Sequence, residues 1–205
     1  MTRSDRNDEE WAGLLRAPGI PGDAPDRVTS FLGLLARWGH STDLFGGAEP
    51  EGLVRALVRD TLAALPWVAE SGRLVDVGSG NGFPAVPLLI ARPGLRGVLL
   101  EPRERRWAFL KEVVRELGLE AEVRRERIAE HRGSGYGIGT VRGVEMRTWL
   151  PEATRLVSAD ATWLWWTSAA KAAELERGVS GGRVLTSLLP GSGQGVLAVW
   201  RRCST

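Results

Sequence analysis

The chain has 205 residues, 43% of them hydrophobic, enough for one α/β domain with an extension and a buried core. It has no long uncharged apolar run, and its charged start, Met1–Glu10, lacks the apolar segment of a secretion signal, so neither a membrane span nor export is expected. The net charge is only +2, and one cysteine, Cys203, with two distant histidines, His40 and His131, excludes an internal disulfide and argues against a bound metal; a cytoplasmic setting fits.

Residues 1–25 are charged and then rich in Pro and Gly, the composition of a mobile arm or a loosely held helix. Val28, Phe31, Leu32, Leu34, Leu35 and Trp38 fall on helical spacing, with Asp26 placed to cap. After a loop over 40–50, a second helix is predicted over 51–65, with Leu53, Val54, Leu57, Val58 and Leu62 on one side. These two helices precede the core and are expected to lid or flank it. The pattern then alternates: strand 73–77, helix 84–91, strand 96–101, helix 103–117, strand 121–127, a Gly-rich loop and strand 138–144. Pro102 opens the helix at 103 and Gly118 closes it. A helix near 150–157, strand 162–166 and a helix at 168–176 follow, and strands 183–188 and 195–201 are joined by the hairpin-like turn Pro190–Gly193. This alternation predicts an α/β fold: a mostly parallel sheet, helices on both faces, and one antiparallel strand from the terminal hairpin. The expected organisation is an N-terminal arm and helical extension over 1–65 and a cofactor-binding domain over 66–205. Nine tryptophans are many, and Trp163, Trp165 and Trp166 are expected to pack in a buried strand.

The most informative segment runs from Asp76 to Ala85, D-V-G-S-G-N-G-F-P-A. Strand, glycine turn and helix form the layout of a nucleotide-cofactor loop, in which Gly78, Gly80 and Gly82 let the backbone bend and approach a ligand. Asp76 ends the strand, where a carboxylate can face a cofactor. Glu101 ends the next strand, about where an acid that grips ribose hydroxyls belongs. A dinucleotide fingerprint reads G-x-G-x-x-G, but here the third glycine comes one place early and Pro84 removes an N–H that a pyrophosphate would use. S-adenosylmethionine has no phosphate, so the loop favours a methyltransferase over a nicotinamide enzyme. A glycine turn that only packs strand on helix is the remaining alternative.

Arginine dominates the basic residues: of 27, only Lys111 and Lys171 are lysines. Arg103, Arg105 and Arg106 open one helix, and Arg124, Arg125 and Arg127 follow in a strand. Such a patch can hold nucleic-acid phosphates; the alternative is surface pairing with Glu104, Glu112 and Glu116.

The stretches DVGSGNGFPAVPLLIARP (76–93), LLEPRERRWAFLKEVVRELGL (99–119) and ERIAEH (126–131) resemble the ribosomal RNA small subunit methyltransferase G family (RsmG, also called GidB). A weaker match continues at YGIGTVRGV (136–144). The resemblance implies a class I S-adenosylmethionine-dependent, Rossmann-like fold and methyl transfer to N7 of a guanine in small-subunit (16S) ribosomal RNA. Its partners would be that RNA or the small ribosomal subunit, and the expected state is a monomer. Carried over position by position, Gly78 falls on the loop glycine and Phe83 on the apolar residue that ends the loop. Glu101 falls on the ribose acid, Ile128 and Ala129 on the pair flanking the adenine, and Arg142 on the arginine after the fourth strand. With Asp76 and Gly80 from the loop itself, these are the expected cofactor contacts. Arg142 is the expected catalytic residue, with a salt bridge to a surface glutamate as its alternative, and Arg103, Arg105 and Arg106 are the expected RNA contacts. Because N7 carries a free lone pair, no general base is required and none is expected; His40 and His131 read as ordinary polar loop residues.

The chain departs from the family where Asp43-Leu44-Phe45 replaces an Asn-Leu-Thr stretch, and where Arg55 to Thr61 lacks a histidine. It departs again where Gly137 replaces an aspartate and Thr167-Ser168 a lysine-glycine pair. These changes leave open a methyltransferase acting on a small molecule or protein, or an inactive binder of cofactor and RNA.

Overall fold

A computed structural model describes residues 13, 15–16, 20–39, 42, 44–45, 50–180, 182–191, 193 and 195–202. Most of the expected N-terminal arm, His40, Asp43 and Cys203 lie outside the described residues. The first described helix, α1 (Ala24–Gly39), buries Val28, Phe31, Leu34 and Leu35, a stripe at i, i+3, i+6 and i+7. It starts before Asp26, so that residue is not the cap but a first-turn acid, where its charge faces the positive helix end. Helix α2 (Pro50–Leu62) has proline in its first helical position, where no N–H is needed.

The α/β unit then runs β1 (Ser71–Val77), α3 (Ala85–Ala91), β2 (Gly94–Leu100), α4 (Glu104–Glu116), β3 (Ala121–Arg124) and β4 (Tyr136–Arg142). It continues through α5 (Met146–Leu156), β5 (Val157–Ser168), α6 (Ala169–Gly178), β6 (Gly182–Leu188) and β7 (Gly195–Arg202). The seven strands are ordered β3-β2-β1-β4-β5-β7-β6. The pairs from β3 through β5 are parallel, and β7 runs antiparallel to both β5 and β6. Helix α4 ends as expected: Gly118 has φ +55°, and the Gly118 and Leu119 amides donate back to the Arg115 and Val114 carbonyls, a Schellman stop.

Side-chain alternation divides the core. Leu74, Leu99, Ile138, Leu164 and Trp166 point to one face, under α1 to α4. Val75, Val77, Val141, Trp163 and Trp165 point to the other, under α5 and α6. The N-terminal helices therefore flank the sheet and share its core: the Phe31 ring lies 5.2 Å from that of Phe83, and the Arg27 guanidinium donates to the Leu117 carbonyl at 2.7 Å. The tryptophans pack as expected. Trp149 of α5 meets Trp163 at 5.2 Å and Trp165 at 5.4 Å, and Trp163 lies across Gly139, where a Cβ would come within 2.4 Å of its ring.

Several boundaries differ from the sequence reading, such as β4, which runs over 136–142 where 138–144 is expected, and three differences have a visible cause. Strand β3 stops at Arg124 because the next residues turn: Glu130 accepts the Arg127 amide at 2.8 Å, and its own amide returns to the Arg127 carbonyl. Helix α5 starts at Met146 and carries Pro151 inside it. Burying Trp149 between helix and sheet outweighs the hydrogen bond that the proline removes. Strand β5 begins at Val157, ahead of the expected 162, because Tyr136 pairs with Val157 and the register then slips before Ile138 meets Thr162.

Candidate active site

The strand order reverses at β1, which pairs with β2 on one side and β4 on the other. A crevice opens at the carboxyl ends of strands at such a switch. Asp76 and the glycine loop lie there, with Glu101 beyond β2 and Arg142 closing β4.

The loop is held by backbone bonds. The Gly78 and Ser79 amides donate to the Leu100 carbonyl at 2.9 and 3.1 Å, and the Gly82 amide to the Ser79 carbonyl at 2.7 Å. Glu101, 3% exposed, accepts the Gly80 amide at 2.9 Å on one oxygen and the Arg103 amide at 2.8 Å on the other. It thereby joins the loop to the start of α4, and each oxygen keeps a second lone pair for a ligand. All three glycines have positive φ, but their surroundings differ. A Cβ on Gly78 would lie 2.5 Å from Val144, and one on Gly82 3.0 Å from Phe31 and Val86. A Cβ on Gly80 would meet only ordinary contacts, 3.5 Å from the Gly78 carbonyl, 3.7 Å from Arg106 and 4.0 Å from Glu101. Gly80 is the open cradle, whereas Gly78 and Gly82 are also packing glycines.

Asp76 is 1% exposed. The Thr140 hydroxyl, opposite it on β4, donates to its Oδ1 at 2.7 Å. Its Oδ2 has no hydrogen-bond partner among the described residues. Burial is the largest influence and pushes the carboxyl up to about 6; the Thr140 and Ser79 bonds oppose this, and the Glu101 charge adds to it. A buried acceptor without a donor is costly, so this oxygen suits a ligand that brings a donor or a positive charge.

Arg142 is half-buried and lies in register with Trp166 of β5. Burial lowers its guanidinium from the ordinary value, and the Asp60 carboxylate works against that. The carboxylate whose charge acts on it is Asp60 of α2, which sequence reasoning did not single out as a site residue. The signal was a charged residue beside the apolar stripe of α2, at helical spacing from Leu57.

The remaining expected contacts separate. Phe83 packs on Phe31 in the core, and its amide donates to the Asn81 side chain at 3.3 Å, so its ring is occupied in holding α1 to the loop. Ile128 is buried and Ala129 exposed on the turn after β3. That turn is held by Arg155, which donates to the Ile128 and His131 carbonyls at 3.3 and 2.8 Å. His131 is not an ordinary loop residue. It is buried, with Nδ1 2.6 Å from Glu126 and Nε2 2.7 Å from the Tyr136 hydroxyl. The carboxylate only accepts, so Nδ1–H donates to it and the hydroxyl donates to Nε2.

Arg103 and Arg105 are exposed at the start of α4, while Arg106 is half-buried against the glycine loop. The three are therefore not one equivalent phosphate patch. Part of the basic stretch is paired: Arg124 with Glu122 at 2.7 Å, Arg125 with Glu104 at 3.1 Å, and Arg115 with Glu112 and Glu116. Among the described residues, no cluster of His, Cys, Asp and Glu could hold a metal ion.

Residues 26–180 match the family model described as rRNA small subunit methyltransferase G. Among curated proteins, the chain is 34% identical over 143 residues to the ribosomal RNA small subunit methyltransferase G of Alkalilimnicola ehrlichii, covering 68% of this chain and 64% of that one. It is 44% identical over 100 residues to the Mycobacterium leprae protein of the same name, covering 49% and 41%. The chain spans about half the length of the curated relatives it matches. Among solved structures, a SAM dependent methyltransferase from Aquifex aeolicus superposes with a TM-score of 0.61 at 16% identity, covering 78% of this chain and 96% of that one. A branched-chain polyamine synthase mutein from Thermus thermophilus gives 0.64 at 14% identity, covering 91% and 66%. These likenesses show the class I S-adenosylmethionine-dependent methyltransferase fold.

Proposed function

The chain belongs to the rRNA small subunit methyltransferase G family, and we propose that it transfers the methyl group of S-adenosylmethionine to N7 of a guanine in 16S ribosomal RNA. The observation that carries the proposal is the arrangement at the switch point: the Glu101-tied glycine loop, the unpartnered oxygen of Asp76, and Arg142 on the neighbouring strand end. These residues fit the cofactor. The Gly80 cradle leaves room beside Glu101 for ribose hydroxyls, and the Asp76 oxygen matches a ligand that carries an ammonium and a sulfonium. Ile128 and Ala129 would flank the base.

When bound, the cofactor supplies the activated methyl group. The chain contributes position and charge. Asp76 and Glu101 would hold the ligand against the strand ends. The guanine N7 lone pair attacks without giving up a proton, so no residue here has to remove one. Arg142 offers a rigid fork of donors to a guanine edge or a phosphate and holds the base in line. Arg103 and Arg105, exposed beside the cleft without an ion pair to a described acid, would take RNA phosphates. No described helix is long and apolar enough to cross a membrane. The protein would act as a monomer in the cytoplasm, on the RNA or the small subunit.

The test is incubation of the full chain with methyl-labelled S-adenosylmethionine and under-methylated small subunits. Label in 16S RNA, absent with Arg142→Ala, is expected. Binding of the cofactor by calorimetry without label in any RNA would instead favour a small-molecule or protein acceptor, or an inactive binder.

A further inference from the structure

Arg155, in the last turn of α5, reaches beyond its own helix. Its Nε donates to Glu152 at 2.8 Å, one turn back, and that bond leaves both terminal nitrogens for other partners. They go to the turn after β3: one donates to the His131 carbonyl at 2.8 Å and the other to the Ile128 carbonyl at 3.3 Å. A surface ion pair within one helix contributes little by itself, but a guanidinium is a rigid fork, and here its two prongs hold two carbonyls in one geometry. The same turn is held from within. The His131 ring is buried between Glu126 and Tyr136, at 2.6 and 2.7 Å. A Cβ on Gly133 would lie 2.4 Å from His131 Nε2, so only glycine lets the chain pass there. The turn begins beside the cofactor loop: the Glu101 amide donates to the Arg124 carbonyl at 3.0 Å, and Glu101 in turn accepts the Gly80 amide. Ile128 is buried in one cluster with Val77 and Leu100, the last residues of β1 and β2, and Ala129 next to it is exposed.

We infer that Arg155 is a positioning residue for the cofactor: it fixes the backbone of the 125–131 turn, so that Ile128 and Ala129 meet the base in one preset arrangement. This rests on the reading of those two residues as the ones that flank the base. Arg155 itself touches neither the ligand nor a reacting atom in this scheme. It acts before binding, by removing conformations that the turn would otherwise have to give up when the ligand arrives. Its loss therefore weakens cofactor binding and leaves the transfer step alone once the cofactor saturates.

The full chain is compared with Arg155→Met, which keeps an unbranched stem and removes the fork, and with Arg155→Lys, which keeps the positive charge at the helix end. The measurements are calorimetry with S-adenosylhomocysteine, melting curves, and methyl transfer to small subunits at varied S-adenosylmethionine. Both variants are expected to bind S-adenosylhomocysteine roughly tenfold more weakly. They should show a raised KM for S-adenosylmethionine, with a parental kcat and a parental KM for small subunits. Amide hydrogen exchange over 126–131, measured without ligand, should be faster in both. Parental affinity in Arg155→Met, with or without a lower melting temperature, makes the contact merely structural and overturns the inference. Parental affinity in Arg155→Lys assigns the effect to charge rather than to the fork and overturns it as well. Unchanged exchange in the turn does the same. Weaker binding and faster exchange in a chain that labels no RNA sustain the positioning role and reject only the proposed acceptor. A parent chain that binds neither S-adenosylhomocysteine nor S-adenosylmethionine overturns the inference together with the cofactor reading.

Discussion

Neutralising Asp76 should change how stability depends on pH. The carboxyl is raised from 3.8 to about 6, mainly by burial. Between these values the folded chain keeps a proton that the unfolded chain has lost. The contribution is therefore fully present below about pH 3.8 and is lost as pH rises through about 6. The full size is about 3 kcal/mol, of which roughly 2 kcal/mol falls between pH 4.5 and 7.5. Asp76→Asn has no proton to lose, and its amide oxygen can still accept from Thr140. The constant cost of the amide cancels when the parent-minus-variant difference is followed with pH. Denaturant melts of both proteins across that window, without cofactor, should show the parent losing about 2 kcal/mol relative to the variant, or roughly 4–8 °C in melting temperature. A difference that stays flat with pH would refute the reasoning and mean that Oδ2 is solvated or paired.

Gly80→Asn places a side chain in the open cradle while tolerating positive φ, so calorimetry should find S-adenosylmethionine binding abolished with little loss of stability. Gly78→Ala should instead lower the melting temperature, because its Cβ meets Val144. The double change Arg103→Ala, Arg105→Ala should flatten the salt dependence of RNA binding, by about 0.7–0.9 in log–log slope for each phosphate no longer neutralised. It should spare cofactor affinity, and an unchanged slope would remove these residues from the RNA surface. Tyr136→Phe leaves His131 Nε2 without its donor and should cost roughly 1–3 kcal/mol in a urea melt.

Periodicity and punctuation made the fold legible. Strands β1, β2 and β4 were readable because they are apolar runs between glycine and proline signals. The stop at Gly118 was readable because only a residue at ease with positive φ ends a helix that way. What the sequence could not show depended on tertiary contacts. Pro151 is the example in the fold: it marks a helix boundary locally, yet Trp149 is worth more packed on Trp163 and Trp165. The same holds at the site. Asp76, Gly80 and Glu101 are adjacent in motif and in space, so spacing along the chain could find them. Asp60 lies 106 residues from Trp166 and 131 from Gly191, and only the folded chain brings them together. His131 was missed because neither Glu126 nor Tyr136, each five residues away, suggests a buried network by residue type alone. Phe83 kept its place at the end of the loop, but its ring turned out to serve α1.

The position of the transferred methyl group is the most direct test of the proposed transfer to guanine N7. N7-methylguanine weakens its glycosidic bond, so mild reduction followed by aniline cleaves RNA at the methylated nucleotide. After incubation of under-methylated small subunits with the full chain and S-adenosylmethionine, primer extension on the cleaved 16S RNA should stop at one guanine. The stop should be missing without cofactor and missing with Arg142→Ala. Label incorporated into 16S RNA without an aniline-sensitive guanine, or label found only in protein or small molecules, would contradict the assignment.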